Sequence, residues 1–179
     1  MKITVVGSGY VGMSLAVLLA QNNDVVILDI DVDRIRKVNK RQSTIADAGI
    51  ESFLSTKQLN LYATINKEDA YKNSSFIVVA TPTNYETNNN FFDTISVDSV
   101  VSDALALNTH ASVIIKSTIP VGHTKFLQSK HSTNRVFFSP EFLREGQALE
   151  DNLYPSRIIV GSMQKRGKLF ANLLIEGAK

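Results

Sequence analysis

Cysteine is absent from all 179 positions. Within these residues that excludes a disulfide scaffold, a thiolate metal site and a cysteine nucleophile. Histidine is scarce as well. His110, His123 and His131 are scattered, which fits loop and surface positions better than a ligand cluster, so no metal is expected. His123 stands at the start of an expected helix and suits capping or solvent exposure. There is no excess of one charge: 19 Lys and Arg face 17 Asp and Glu, and the positives form no long run. A nucleic-acid partner is therefore not expected, whereas a small anionic ligand is compatible. No stretch approaches the roughly 20 apolar residues of a membrane span. The apolar run that opens the chain stops at Gly7, too early for a secretory signal. The cytoplasm is the expected location, with no membrane partner.

What is present is 44% hydrophobic, enough for one well-packed domain and marginal for two. Short apolar runs recur at Lys2 to Val6, Val25 to Leu28, Phe76 to Ala80, Ser112 to Lys116, Val136 to Phe138 and Arg157 to Val160. Several are rich in Val and Ile without alternation, as strands buried on both faces of a parallel sheet are. Leu59 to Ala63 is a shorter candidate. Helical patterns lie between them at Val11 to Gln21, Asp31 to Lys40, Ser96 to Leu107, Gly122 to Lys130 and Lys165 to Leu174. The stretch from Arg41 to Ser55 fits neither period and reads as a turn with a short helix. The Asn-rich stretch from Asn84 to Asn90 reads as a loop. No internal repeat or second domain is evident.

The strongest local signal is Gly7-Ser8-Gly9-Tyr10-Val11-Gly12, a GxGxxG pattern between a buried-strand run and an apolar helix. Gly7 suits the tight turn, Gly9 the approach of a pyrophosphate, and Gly12 close helix–strand packing. The helix N-terminus adds free N–H groups and a positive dipole end. Asp29 ends the second strand, where a carboxylate accepts from both ribose hydroxyls and repels a 2'-phosphate. NAD is thus expected over NADP. The nearby Arg34 can stack beside adenine or help hold the pyrophosphate, and a basic residue here sometimes accommodates NADP. The expected architecture is α/β: a Rossmann-like, doubly wound, mainly parallel sheet flanked by helices, in one domain over residues 1–179.

Three further segments follow strands, on the side where open parallel sheets bind ligands. Thr81-Pro82-Thr83 and Ser117-Thr118-Ile119-Pro120-Val121-Gly122 offer hydroxyls to a cofactor or an ordered water, or serve as turn caps. Ser139-Pro140-Glu141-Phe142-Leu143-Arg144-Glu145-Gly146 brings two carboxylates and a guanidinium together. Glu141 suits a general base or a salt-bridged loop, and Arg144 a pairing with Asp or Glu. The Tyr10 ring lines the ligand cleft or packs against the next loop.

In this order, the four motifs resemble those of the UDP-glucose/GDP-mannose dehydrogenases. The similarity continues through Ala148, Asp151, Pro155, Arg157 and Gly161 and covers essentially the whole chain. The resemblance implies four-electron oxidation of a nucleotide-sugar C6 alcohol to a carboxylate, with two NAD reduced and a thioester on a cysteine hydrolysed by water. It also implies roles by position. Thr118 resembles the holder of the catalytic water, Glu141 the general base of hydrolysis, and Glu145 a residue near the nicotinamide and its ribose. Phe142 and Leu143 resemble part of the sugar-nucleotide pocket. Tyr10, Val11, Asp29, Arg34, Thr83 and Thr118 resemble cofactor-side positions. Arg144-Glu145-Gly146 with Ala148 and Asp151 looks most like the UDP-glucose branch, which makes UDP-glucose the expected partner.

The family chain continues through a central helix and a second α/β domain that carry the nucleophilic cysteine, a lysine, an asparagine and an aspartate. The chain is therefore expected to be truncated relative to the family, inactive alone and monomeric, where the parent is a homodimer. Alternatives are a dehydrogenase of GDP-mannose or UDP-N-acetylmannosamine, a hydroxyacid dehydrogenase lacking its substrate domain, or a non-catalytic NAD-binding module.

Overall fold

A computed structural model describes residues 1–86 and 91–179. The first half carries β1 (Lys2–Val6), α1 (Tyr10–Leu19), β2 (Asp24–Leu28), α2 (Val32–Asn39), α3 (Ala48–Thr56), β3 (Leu61–Thr64), α4 (Lys67–Tyr71) and β4 (Phe76–Val79). The second half carries β5 (Asn84–Glu86), β6 (Phe91–Asp93), α5 (Ile95–Leu107), β7 (Ser112–Ile115), α6 (His123–Lys130), β8 (Val136–Phe138), α7 (Ala148–Leu153) and α8 (Lys165–Gly177). Six strands form one sheet in the order β3-β2-β1-β4-β7-β8, and every pairing in it is parallel.

The unbroken apolar runs follow from this layering, because successive side chains of a strand enter opposite cores. Ile3 and Val5 of β1, Phe76 and Val78 of β4, and Ile114 of β7 join one core with Met13, Leu15 and Leu18 of α1 and Phe170 of α8. Val6, Ile77, Val79, Val113 and Ile115 join the other with Tyr71 of α4, Val97 and Val101 of α5 and Leu127 of α6. Helix α1 is buried on nearly every side, which its almost wholly apolar sequence requires. The chain order reverses between β1 and β4, so a crevice opens at their carboxyl ends.

Four details differ from the sequence reading. Arg157 to Val160 is not a strand. It runs extended beside β8, half-burying Ile158 and Val160, and meets the strand through a single backbone bond from Gly161 N–H to Phe138 C=O at 2.8 Å. Asn84–Glu86 is not loop but pairs antiparallel with β6, while residues 87–90 of that expected loop lie outside the described residues. The helices α4 and α7, of 5 and 6 residues, are too short to show a helical period. His123 is neither a cap nor solvent-exposed: its Nε2 lies 2.7 Å from Asp98 Oδ1 of α5, with the imidazole 12% exposed.

Candidate cofactor and substrate site

The glycine loop joins β1 to α1 at the crevice. Gly7 has φ +96°, and a Cβ there would lie 2.6 Å from the Ala80 carbonyl oxygen, so both backbone and packing demand glycine. A Cβ on Gly12 would lie 2.0 Å from the Gly7 carbonyl oxygen, which is the close helix–strand approach. Gly9 is different, since nothing lies within 4 Å of its would-be Cβ. The protein leaves this space open beside a helix N-terminus that no side chain caps and whose first turn has no acidic residue. Free N–H groups, a positive dipole end and an open backbone approach fit the pyrophosphate of a dinucleotide.

Asp29 lies just beyond β2, 8% exposed. Its Oδ2 accepts from Ser8 N–H at 2.8 Å and Ser8 Oγ–H at 2.5 Å, and its Oδ1 accepts from Asp31 N–H at 3.0 Å. The carboxylate is thus fixed in orientation and keeps acceptor capacity on Oδ1. Arg34 sits in the first turn of α2, with Nε 3.6 Å from Asp31 Oδ2 of its own helix. Tyr10 and Val11 open α1, both partly exposed.

The hydroxyl motifs lie on the same side of the sheet. Beyond β4, Thr81 Oγ1 accepts from Ser96 Oγ at 3.1 Å, and its carbonyl accepts from Ser117 Oγ at 2.6 Å. That last bond ties the β4 and β7 loops together. Thr83 is half-buried, and Thr118, beyond β7, is exposed.

The loop after β8 departs from a freely presented carboxylate. Glu141 is turned onto Lys116, the last residue of the β7 apolar run, with Nζ 3.0 Å from Oε2 and side chains 5% and 16% exposed. This is an ion pair without hydrogen-bond alignment, because Oε2 is buried and has no hydrogen-bond donor. Glu141 Oε1 accepts from Phe142 N–H at 2.8 Å, and Lys116 Nζ also donates to the Pro140 carbonyl at 3.2 Å. Both residues face a cavity of about 130 Å³ that also touches Phe142, Asp151 and Arg157. The Arg157 guanidinium stacks 4.2 Å from the centroid of the Phe142 ring. Arg144 reaches Asp151 of α7 through Nη2 at 2.6 Å and Nε at 3.2 Å, while its N–H donates to the same carboxylate at 2.7 Å. The Arg144 hydrogen bonds hold the Asp151 carboxyl below its usual range. Leu143 is half-buried and Glu145 is exposed.

The structure therefore brings Gly7, Gly9, Gly12, Asp29, Thr83, Thr118, Glu141, Phe142, Leu143 and Glu145 to one edge of the sheet. It directs Arg34 to Asp31 and Arg144 to Asp151. Sequence reading missed Lys116 and the hold of Ser8 on Asp29. A lysine closing a buried apolar run was the available signal for the first. Ser8 is a small hydroxyl residue that resembles an ordinary loop position. No cluster of metal-ligating side chains occurs among the described residues.

A UDP-glucose 6-dehydrogenase of Streptococcus pneumoniae is 48% identical over 99% of this chain and 47% of its own length. One from Campylobacter jejuni is 47% identical over 98% of this chain and 45% of its own. A UDP-glucose dehydrogenase structure from Pyrobaculum islandicum superposes with a TM-score of 0.85 at 26% identity, covering 99% of this chain and 44% of that one. The chain thus spans about half the length of the curated relatives it matches. The profile of the UDP-glucose/GDP-mannose dehydrogenase family, NAD binding domain, matches residues 1–176. The chain belongs to that family and is its NAD-binding domain.

Proposed function

We propose that this domain supplies the NAD-binding half of a cytoplasmic, homodimeric enzyme that oxidises UDP-glucose to UDP-glucuronate. The observation that carries the reading is the convergence of the glycine loop, Asp29, the Thr118 loop and the Glu141–Glu145 loop on one edge of a parallel sheet. Identity of 48% to a UDP-glucose 6-dehydrogenase supports that substrate over GDP-mannose or UDP-N-acetylmannosamine.

Bound NAD supplies the hydride acceptor for C6 of the sugar. The first turn of α1 and the open face of Gly9 bind the pyrophosphate, with Tyr10 and Val11 beside it. Asp29 accepts from the adenosine ribose and opposes a 2'-phosphate. Arg34, on the first turn of α2, flanks the adenosine end. Thr83 and Thr118 present hydroxyls toward the nicotinamide end, and Thr118 also holds a water. Glu145 lies exposed beside the nicotinamide ribose. Phe142, braced by Arg157, and Leu143 form one wall of the sugar-nucleotide pocket. Glu141 takes a proton from the attacking water, with Lys116 as its counter-ion. The family nucleophile is a cysteine, and none occurs in this sequence, so the domain by itself binds NAD without turnover.

Calorimetric titration of the purified chain with NAD and NADP, with and without UDP-glucose, tests this reading. Binding of NAD in preference to NADP, with no NADH absorbance appearing on sugar addition, is expected. Sugar-dependent NADH formation would overturn the inactivity, and equal affinity for the two cofactors would overturn the role of Asp29.

A further inference from the structure

The segment from Arg41 to Asp47 belongs to neither sheet nor helix, and the function above makes no use of it. It is not loosely attached. Ser43 Oγ donates to the Ile45 carbonyl at 2.7 Å, Ile45 packs on the core, and Asp47 caps α3. One further bond reaches the cofactor loop: Thr44 Oγ1 donates to the Ser8 carbonyl at 2.5 Å. Ser8 is 1% exposed, and its N–H and hydroxyl both end on Asp29 Oδ2. A hydrogen-bonded chain thus runs from Thr44 through Ser8 to the carboxylate at the end of β2. A trans peptide carries its C=O and N–H in opposite directions. The bond that fixes the Ser8 carbonyl therefore also fixes the N–H of Gly9, the glycine whose Cβ space is open.

We propose that Ser8 and Thr44 are positioning residues for the dinucleotide. Ser8 holds the Asp29 carboxylate in the orientation that meets a ribose diol and opposes a 2'-phosphate. Thr44 holds the Ser8–Gly9 peptide against which the pyrophosphate lies, which makes the irregular segment part of the cofactor site. This rests on the role of Asp29 given above. The two residues act on different ends of the ligand, so their effects separate.

The test is calorimetry on the 179-residue chain with NAD, with NADP in competition, and with adenosine alone. Ser8→Ala is expected to lower the preference for NAD over NADP about tenfold, the loss of one hydrogen bond to a charged group. Ser8→Cys, a weaker donor, falls between. Thr44→Val is expected to weaken NAD and NADP by one common factor of about 5 to 10 and leave adenosine unchanged. Thr44→Ser restores the affinity. A purely structural role would lower the melting temperature without this split. Asp29→Asn is measured alongside. If it leaves the preference intact, the Asp29 reading fails and the role of Ser8 falls with it. If Asp29→Asn abolishes the preference while Ser8→Ala keeps it, Ser8 loses its role and Asp29 retains its own. Should Ser8→Ala not fold, Ser8→Cys decides, and an unchanged preference there overturns the role of Ser8. Thr44→Val binding both cofactors like wild type, or losing adenosine equally, overturns the role of Thr44.

Discussion

Two glycines in one turn carry different constraints. Gly12 is required by the protein itself, since a methyl there would overlap the Gly7 carbonyl. Gly9 has room for a methyl, so on the proposed reading it is the ligand that needs its open face. Gly12→Ala is expected to destabilise the fold by about 3 kcal/mol. Gly9→Ala is expected to melt like wild type and lose NAD affinity. Thermal melts set beside NAD titrations of the two variants check the contrast, and equal destabilisation by both would sink it. Lys116 and Glu141 pose a second question at this scale. Removing one partner of a buried ion pair leaves the other charge uncompensated. Lys116→Met should therefore cost about 3–5 kcal/mol in a denaturant titration. The double variant Lys116→Met/Glu141→Gln should recover part of that loss. Gly7, Gly12 and Asp29 were legible in the sequence as positions in the turn and at the strand end, because the glycine spacing falls between a buried-strand run and an apolar helix and the acid closes the next run. The Lys116–Glu141 pair was not, since its members meet only once β7 and β8 lie side by side.

At the level of elements, the central strands were legible because burial on both faces leaves a continuous Val and Ile run that few other structures produce. Misreading came at the margins. Arg157 to Val160 has strand composition, yet exposed and half-buried positions alternate there, and one backbone bond does not make a ladder. The short helix α7 is fixed by contacts from afar: the Asp47 carboxylate that caps α3 also accepts from Leu149 N–H at 3.3 Å. Arg144 and Asp151 then tie the loop after β8 to α7. Because the folded pKa of Asp151 is lowered, its contribution is complete above the unfolded value near pH ~4. It is lost as acidification passes the lower folded value. The unfolded chain binds the extra proton in that window, so stability falls with pH there. Asp151→Asn should flatten this acid limb and lower the melting temperature at neutral pH, where the carboxylate's contribution is complete. Melting curves collected from pH 2 to 6, a window of about 2 units either side of ~4, read the difference.

For the molecule as a whole, the doubly wound arrangement explains why motifs far apart in sequence share one site. Every parallel strand delivers its following loop to the same edge, and the reversal of order between β1 and β4 opens the crevice there. That much follows from reading strands and glycines. The contribution of the Arg41–Asp47 segment does not, because its hydroxyl contacts depend on tertiary placement rather than on any period. The extended segment beside β8 has a different consequence. Among the described residues β8 has a ladder partner on one side only, and its other flank is screened by Arg157 to Gly161, with Ser139 Oγ donating to the Ile159 carbonyl at 2.7 Å. A three-residue border strand stripped of that screen becomes a template on which another molecule's strand can register. A Gly161→Pro variant, which loses the N–H that fastens the segment to Phe138 and keeps α8 in the chain, should therefore scatter light at concentrations where the parent chain stays dispersed, because what looks like an irregular stretch keeps the sheet from growing.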